Sequence, residues 1–128
     1  MKQLSHITLV VKDQEEAKEW YTHKLGWEVH TDESYGGIRW LTMHLSEQPN
    51  LEIAIYPANE KDPTPLFQKP GLTAGWIFHT DDCKEEIERL RREDVRIVLE
   101  PVEHPWGIHA VFADLYGNQF SLVQPIQN

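Results

Sequence analysis

The chain has one cysteine, Cys83, among its 128 residues, so it cannot form an internal disulfide. A lone thiol suits a reducing compartment, and a cytoplasmic location is the expectation. Long apolar runs are missing as well. Nothing approaches the roughly 20 consecutive apolar residues that a membrane span needs, so no membrane partner is expected. The opening Leu4-Ser5-His6-Ile7-Thr8-Leu9-Val10-Val11 leads straight into acidic residues, with no signal-peptide pattern. Basic residues are in deficit: 12 Lys and Arg against 21 Asp and Glu give a net charge of −9. That balance argues against nucleic acid, whose phosphates a binder must neutralise. It suits a cation or a cationic ligand, and it is equally a common means of staying soluble. The sequence shows no glycine-rich phosphate loop and no Ser-His-Asp arrangement.

A hydrophobic content of 40% with 26% charged residues is enough for a core, and 128 residues suit one compact domain. Leu4 to Lys12 alternates, with Ile7, Leu9 and Val11 on one side and His6, Thr8 and Val10 on the other. Asp13 stops this strand and opens a helix, helped by Glu15 and Glu16 near its positive end. Ala17, Trp20, Tyr21 and Leu25 recur at helical spacing before Gly26. Strand-like runs follow at Trp27–Thr31, Ile38–Leu45 and Leu51–Tyr56, separated by Gly36-Gly37 and Ser46–Asn50. The order is βαβββ.

The second half repeats it. Ala74–Thr80 reads as a strand, and Asp81-Asp82 opens a helix whose apolar stripe is Cys83, Ile87 and Leu90. Strands are expected at Val95–Leu99, Ile108–Phe112 and Gln119–Gln124, with turns at Pro105-Trp106-Gly107 and Leu115-Tyr116-Gly117-Asn118. Asp13 corresponds to Asp82, Tyr21 to Leu90 and Val29 to Val98, an offset of roughly 69 residues. Two units at a constant offset imply duplication within one domain spanning residues 1–128. Module one covers 1–57, a proline-rich linker 58–72 and module two 73–128. The linker exceeds an ordinary connection and reads as a flap as readily as a spacer.

Alternation assigns the faces. Ile7, Leu9, Val11, Leu51, Ile53, Ile55, Ala74, Trp76, Phe78, Phe120 and Leu122 are expected under the helices. The opposite face carries His6, Thr8, Val10, Glu52, Ala54, Tyr56, Gly75, Ile77, His79, Ser121 and Val123. A mixed polar and small face is either solvent-facing or the lining of a ligand concavity. In the second case Thr8, Tyr56, Ile77, His79 and Ser121 are the ligand-pocket candidates.

His6-Ile7-Thr8-Leu9-Val10-Val11, Trp20-Tyr21 with Leu25-Gly26-Trp27, Leu51-Glu52-Ile53 and the turn Phe112-Ala113-Asp114-Leu115-Tyr116-Gly117-Asn118 resemble the vicinal-oxygen-chelate superfamily. This group includes glyoxalases, bleomycin-resistance proteins and extradiol dioxygenases. The match covers essentially the whole chain, although Leu115-Tyr116 replaces the middle of the family's Asp-Pro-Asp-Gly-Asn turn. The resemblance implies an α+β fold: two tandem βαβββ modules forming a curved, mixed eight-stranded sheet with helices on the outer face, commonly as a homodimer.

In glyoxalase I-like members the metal takes one ligand from the first and one from the fourth strand of each module. The corresponding residues here are His6 and Glu52, then Gly75 and Ser121. The resemblance therefore implies an incomplete site for a divalent metal such as zinc, nickel, iron or manganese, with His6 and Glu52 as ligands. Glu52 is also the candidate proton-transfer base. His79 lies four residues beyond Gly75, roughly 13 Å at strand rise, too far to replace it. His44 and His109 sit in third strands whose facing the sequence leaves open. Trp40, Tyr56 and Trp106 are candidates for stacking on a ligand. Cys83 reads as small and structural.

Two functions stay open. One is a superfamily enzyme, of lyase, isomerase or dioxygenase type, acting on a small oxygenated or thiol-conjugated substrate with metal assistance. The other is a metal-free binder that sequesters an antibiotic-like small molecule, as bleomycin-resistance proteins do. His6 with Glu52 favours the first; Gly75 and Ser121 favour the second.

Overall fold

The computed structural model describes residues 1–72 and 75–126, so Ala74 of the expected core lies outside the described residues. Strand β1 is His6–Val11, and its alternation buries Leu9 and Val11. Asp13 then adopts an extended backbone and its carboxylate accepts from the Glu16 backbone N–H at 2.9 Å, which starts helix α1, Gln14–Trp20. One π-helical turn, Tyr21–Leu25, continues it to Gly26. Tyr21 stacks on Trp27 with 4.6 Å between ring centroids, and both are buried. Burial of two such rings contributes about 2–3 kcal/mol each.

Strands β2 (Glu28–Tyr35), β3 (Ile38–Leu45) and β4 (Gln48–Pro57) complete the first module. The sheet order is β1-β4-β3-β2, with β1 parallel to β4 and the other pairs antiparallel. Helix α1 packs against β4. The second module has β5 (Ile77–His79), α2 (Cys83–Arg92), β6 (Arg96–His104), β7 (Gly107–Ala113) and β8 (Gln119–Pro125). Its order is β5-β8-β7-β6, the same arrangement over again. The fold is thus α+β, two tandem βαβββ modules with a four-stranded mixed sheet in each. The chain divides into two compact units, Met1–Thr73 and Ala74–Asn128.

Several bounds differ from the sequence reading. β2 continues to Tyr35 through a polar run, because Asp32 and Arg39 pair across the β2–β3 hairpin. β4 starts at Gln48, since Leu45 pairs with Gln48 and only Ser46 and Glu47 turn. β6 runs on to His104. β5 is shorter than Ala74–Thr80. Gly75, at φ +116°, leaves the extended region, although its N–H still donates to the Gln119 carbonyl at 3.0 Å.

In module one Leu9, Val11, Ile53 and Ile55 are buried as the alternation requires; in module two Phe120 and Leu122 are. Val10, Ala54 and Thr42 are buried as well, on the opposite face of the first sheet. Strand pairing puts them there together: Thr8 and Thr42 both register with Ala54, and Val10 registers with Tyr56. The turn after β7 rests on Asp114. Its carboxylate accepts from the backbone N–H groups of Tyr116 and Asn118 and from the Asn118 side chain, all within 2.9 Å. The side chains that build this turn are thus those of Asp114 and Asn118, both of which the chain shares with the family's pattern.

Candidate functional site

The register of β1 and β4 sets His6 opposite Glu52. His6 Nε2 lies 3.2 Å from Glu52 Oε2, and His6 Nδ1 lies 2.8 Å from Ser5 Oγ. The other oxygen, Oε1, accepts from Thr42 Oγ1 at 2.7 Å and lies 3.0 Å from His30 Nδ1. Both imidazole nitrogens thus lie within ion-pair distance of the carboxylate, and the Thr42 hydroxyl donates to it. His30 also touches Thr31 Oγ1, at 2.8 Å. Trp40 flanks the group, its ring 5.9 Å from that of His6. Glu52 has a side chain 19% exposed, against 39% for His6 and 46% for His30. A largely enclosed carboxylate therefore sits between two imidazoles that reach solvent.

His30 is the member that the sequence reading missed. It lies on β2, and β3 separates β2 from β4. Two strand spacings amount to roughly 9.6 Å, which two long side chains span over a small one such as Thr42. The register of β2 against β3 shifts between Val29 and Thr31, and this irregularity re-aims His30. The available signal was the alternation of His30 with Val29; the strand order that makes it useful was not in the sequence.

The other candidates are distributed. Thr8 is half-buried beside Ala54. Tyr56 turns toward the linker, where its hydroxyl donates to Asp62 Oδ2 at 2.8 Å and its ring meets Phe67 at 4.9 Å. The Asp62 hydrogen bond, together with burial, pushes the Tyr56 phenol above its usual range. Within the linker, the Asn59 N–H donates to the Phe67 carbonyl and the Gln68 side chain to the Asp62 carbonyl, so the segment folds on itself and on Tyr56.

In module two Ile77 registers with Ser121 and His79 with Val123. Ser121 Oγ lies 3.2 Å from His109 Nε2. His44 is held by structural contacts: Nδ1 lies 2.8 Å from the Leu45 carbonyl oxygen and Nε2 lies 3.6 Å from Glu28. Cys83 is fully buried, its N–H donating to the Gln124 side chain, and burial pushes its thiol pKa up.

The donor set does not fit the metal centre of glyoxalase I-like proteins. Gly75 has no side chain, the Ser121 hydroxyl is engaged by His109, and both Glu52 oxygens face donors of module one. Among the described residues no group of three or more His, Cys, Asp or Glu side chains is arranged to hold a metal ion. No helix among them is long and apolar enough to cross a membrane.

Comparison with known proteins places this geometry in a family. The chain is 32% identical over 121 residues to the uncharacterized protein YurT of Bacillus subtilis (strain 168), covering 91% of this chain and 94% of that one. Among solved structures, UcmS2 has 36% identity and a TM-score of 0.84, with 96% of this chain and 98% of that one covered. TnmS3, an antibiotic binding protein from Streptomyces sp. CB03234, has 28% identity and a TM-score of 0.82, with 98% of each chain covered. The sequence pattern that matches residues 3–122 is that of the Glyoxalase/Bleomycin resistance protein/Dioxygenase superfamily, and the chain belongs to it.

Proposed function

We propose that the protein binds and sequesters an antibiotic-like small molecule, without a resident metal, on the faces of its sheets that lie opposite the helices. The observation that carries this reading is the environment of Glu52. Thr42 donates to its carboxylate, and His6 and His30 stand against it, while Gly75 and Ser121 replace the other two metal positions of the family. Such a cluster recognises a ligand by hydrogen bonds. The imidazole edges of His6 and His30 reach solvent, Glu52 fixes their orientation, and Trp40 supplies a ring beside them. The likeness to TnmS3, whose described role is antibiotic binding, supports the same reading. We include in it a homodimer, common in the superfamily, and a cytoplasmic site of action.

The alternative, metal-assisted lyase or dioxygenase chemistry with Glu52 as base, asks the second module for ligands that its residues do not offer. Metal content of protein purified without chelator separates the two. The binding reading expects less than stoichiometric metal and no change in Glu52→Ala. One tightly held metal per chain, lost in Glu52→Ala, overturns it. Sedimentation at micromolar concentration tests the dimer, and a monomer there contradicts that part.

A further inference from the structure

Three histidines of the first module lie near one another, and their ring nitrogens are not equally engaged. His6, on β1, has Nε2 at 3.2 Å from Glu52 Oε2 and Nδ1 at 2.8 Å from Ser5 Oγ. His44, on β3, has Nδ1 at the Leu45 carbonyl oxygen and Nε2 facing Glu28. His30, on β2, has Nδ1 3.0 Å from Glu52 Oε1 and 2.8 Å from Thr31 Oγ1. Its Nε2 has no hydrogen-bond or ion-pair partner among the described residues, and the side chain is nearly half exposed. Of the three imidazoles, this one presents an open nitrogen.

The other edge of that ring faces a carboxylate that is itself fixed. Fully buried Thr42 donates to the same Oε1 of Glu52 at 2.7 Å, and His6 stands at the second oxygen. The register shift between Val29 and Thr31 turns the His30 ring across β3 toward this carboxylate. A carboxylate behind an imidazole holds the ring in one tautomer and stabilises the imidazolium formed when the open nitrogen takes a proton. The other titratable groups around the ring are few. His44 lies edge-on at 6.0 Å between centroids, Glu28 is its partner, and Glu33 pairs with Trp40 across β2 and β3. Among the described residues no lysine or arginine pairs with Glu52, so its charge is available to an imidazolium.

We propose that His30 Nε2 is the proton acceptor of the binding site, and that its ligand carries an acidic hydroxyl, a phenol or an enol. This rests on the small-molecule reading above and adds to it the ligand group that is recognised. His30 carries its hydrogen on Nδ1, so that an N–H rather than a lone pair faces Glu52, and the Nε2 lone pair points outward. On binding, the ligand O–H bond breaks, its proton passes to Nε2, and its electron pair stays on the ligand oxygen. The resulting oxyanion is held by Nε2–H, with Glu52 balancing the imidazolium from behind. A neutral ligand thus enters a chain of net charge −9 and becomes an anion only where a cation forms beside it. An ether at the same place has no proton to give and loses the contact.

The test uses the full chain. Nitrogen NMR of ring-labelled histidines, at a pH where the imidazoles are neutral, is expected to show His30 with hydrogen on Nδ1 and a bare Nε2. The opposite tautomer overturns the proposal. The probe is 4-nitrophenol, whose anion absorbs visible light, used below its own pKa. The expected result is a phenolate band that grows with protein concentration, together with protonation of His30 Nε2. The methyl ether, 4-nitroanisole, is expected to bind roughly tenfold more weakly. His30→Gln is expected to abolish the band, and His44→Gln to keep it. Equal binding of phenol and ether, a band that persists in His30→Gln, or no binding of 4-nitrophenol overturns the proposal. Glu52→Ala separates this from the wider reading. If the parent holds 4-nitrophenol as the neutral phenol and the variant loses it, proton transfer fails while binding at Glu52 survives. One equivalent of bound metal, lost in Glu52→Ala, fails both.

Discussion

His30 Nδ1 lies 3.0 Å from Glu52 Oε1 although a whole strand runs between the strands that carry them. The contact closes the polar cluster within module one, because His6 already stands at the other oxygen and Thr42 donates from beneath. A carboxylate enclosed in this way has its acceptor capacity largely taken up. In the proposed binding site it orients the imidazoles of His6 and His30.

Thr42 tests that orientation. The side chain is fully buried, and its hydroxyl is a donor to Glu52. Thr42→Val keeps the shape and removes the donor, leaving a partly enclosed carboxylate short of one hydrogen bond. A destabilisation of about 1–3 kcal/mol is expected, read by urea unfolding. Ligand affinity is expected to fall with it, and unchanged affinity would separate Thr42 from the binding cluster.

A second cluster governs acid stability. Arg39 holds both Asp32 oxygens, at 2.7 and 2.8 Å, and Lys18 adds a third bond at 2.9 Å. The Arg39 hydrogen bonds, with help from Lys18, keep the Asp32 carboxyl well below its ordinary value of 3.8. For a carboxyl depressed by folding, the stabilisation is present above the unfolded value and is lost as pH falls below it. Asp32→Asn is therefore expected to lower stability at pH 7 by about 1 kcal/mol, a screened surface value, and the difference from the parent is expected to shrink as pH falls from 4 toward 2. Unfolding curves across this range of pH check it.

Tyr56 behaves in the opposite sense. Its hydrogen bond to Asp62 raises the phenol above the ordinary 10.0, so the stabilisation is present below that value and is lost as pH rises past the folded one. Ultraviolet titration is expected to show Tyr56 ionising above the ordinary tyrosine value, and Asp62→Asn is expected to lower it.

Gly107→Ala is expected to cost at least about 3 kcal/mol. The new Cβ meets the Gln124 carbonyl oxygen at 2.2 Å, and the backbone there holds φ +148°. Thermal unfolding measures the loss; a neutral substitution would contradict the close packing of the β6–β7 turn against β8.

Much of the architecture was legible from local rules. The alternation of Ile7, Leu9 and Val11 and the helix caps Asp13 and Asp82 each describe a few neighbouring residues, the repeat offset compares two such local patterns, and all three appear in the fold. Strand ends were harder wherever pairing outvotes composition. Glu28–Tyr35 has almost no apolar pattern, and cross-strand ion pairing carries it as a strand. Gly75 shortens β5 through its backbone angle, which no neighbouring residue announces. In the site, His6 and Glu52 came from the family resemblance, and the β1–β4 pairing sets them opposite each other. His30 depended on a register shift and on Thr42 being small enough to reach over, and both are properties of the assembled sheet.

The central claim is that the Glu52 cluster binds a small molecule and holds no metal. It is tested most directly by measuring bound metal and ligand affinity together on protein purified without chelator, for the parent chain and for Glu52→Ala. The account predicts substoichiometric metal in both, and a ligand, detected by tryptophan quenching, that binds the parent and is weakened roughly tenfold in the variant. One equivalent of metal in the parent, absent from Glu52→Ala, would contradict it.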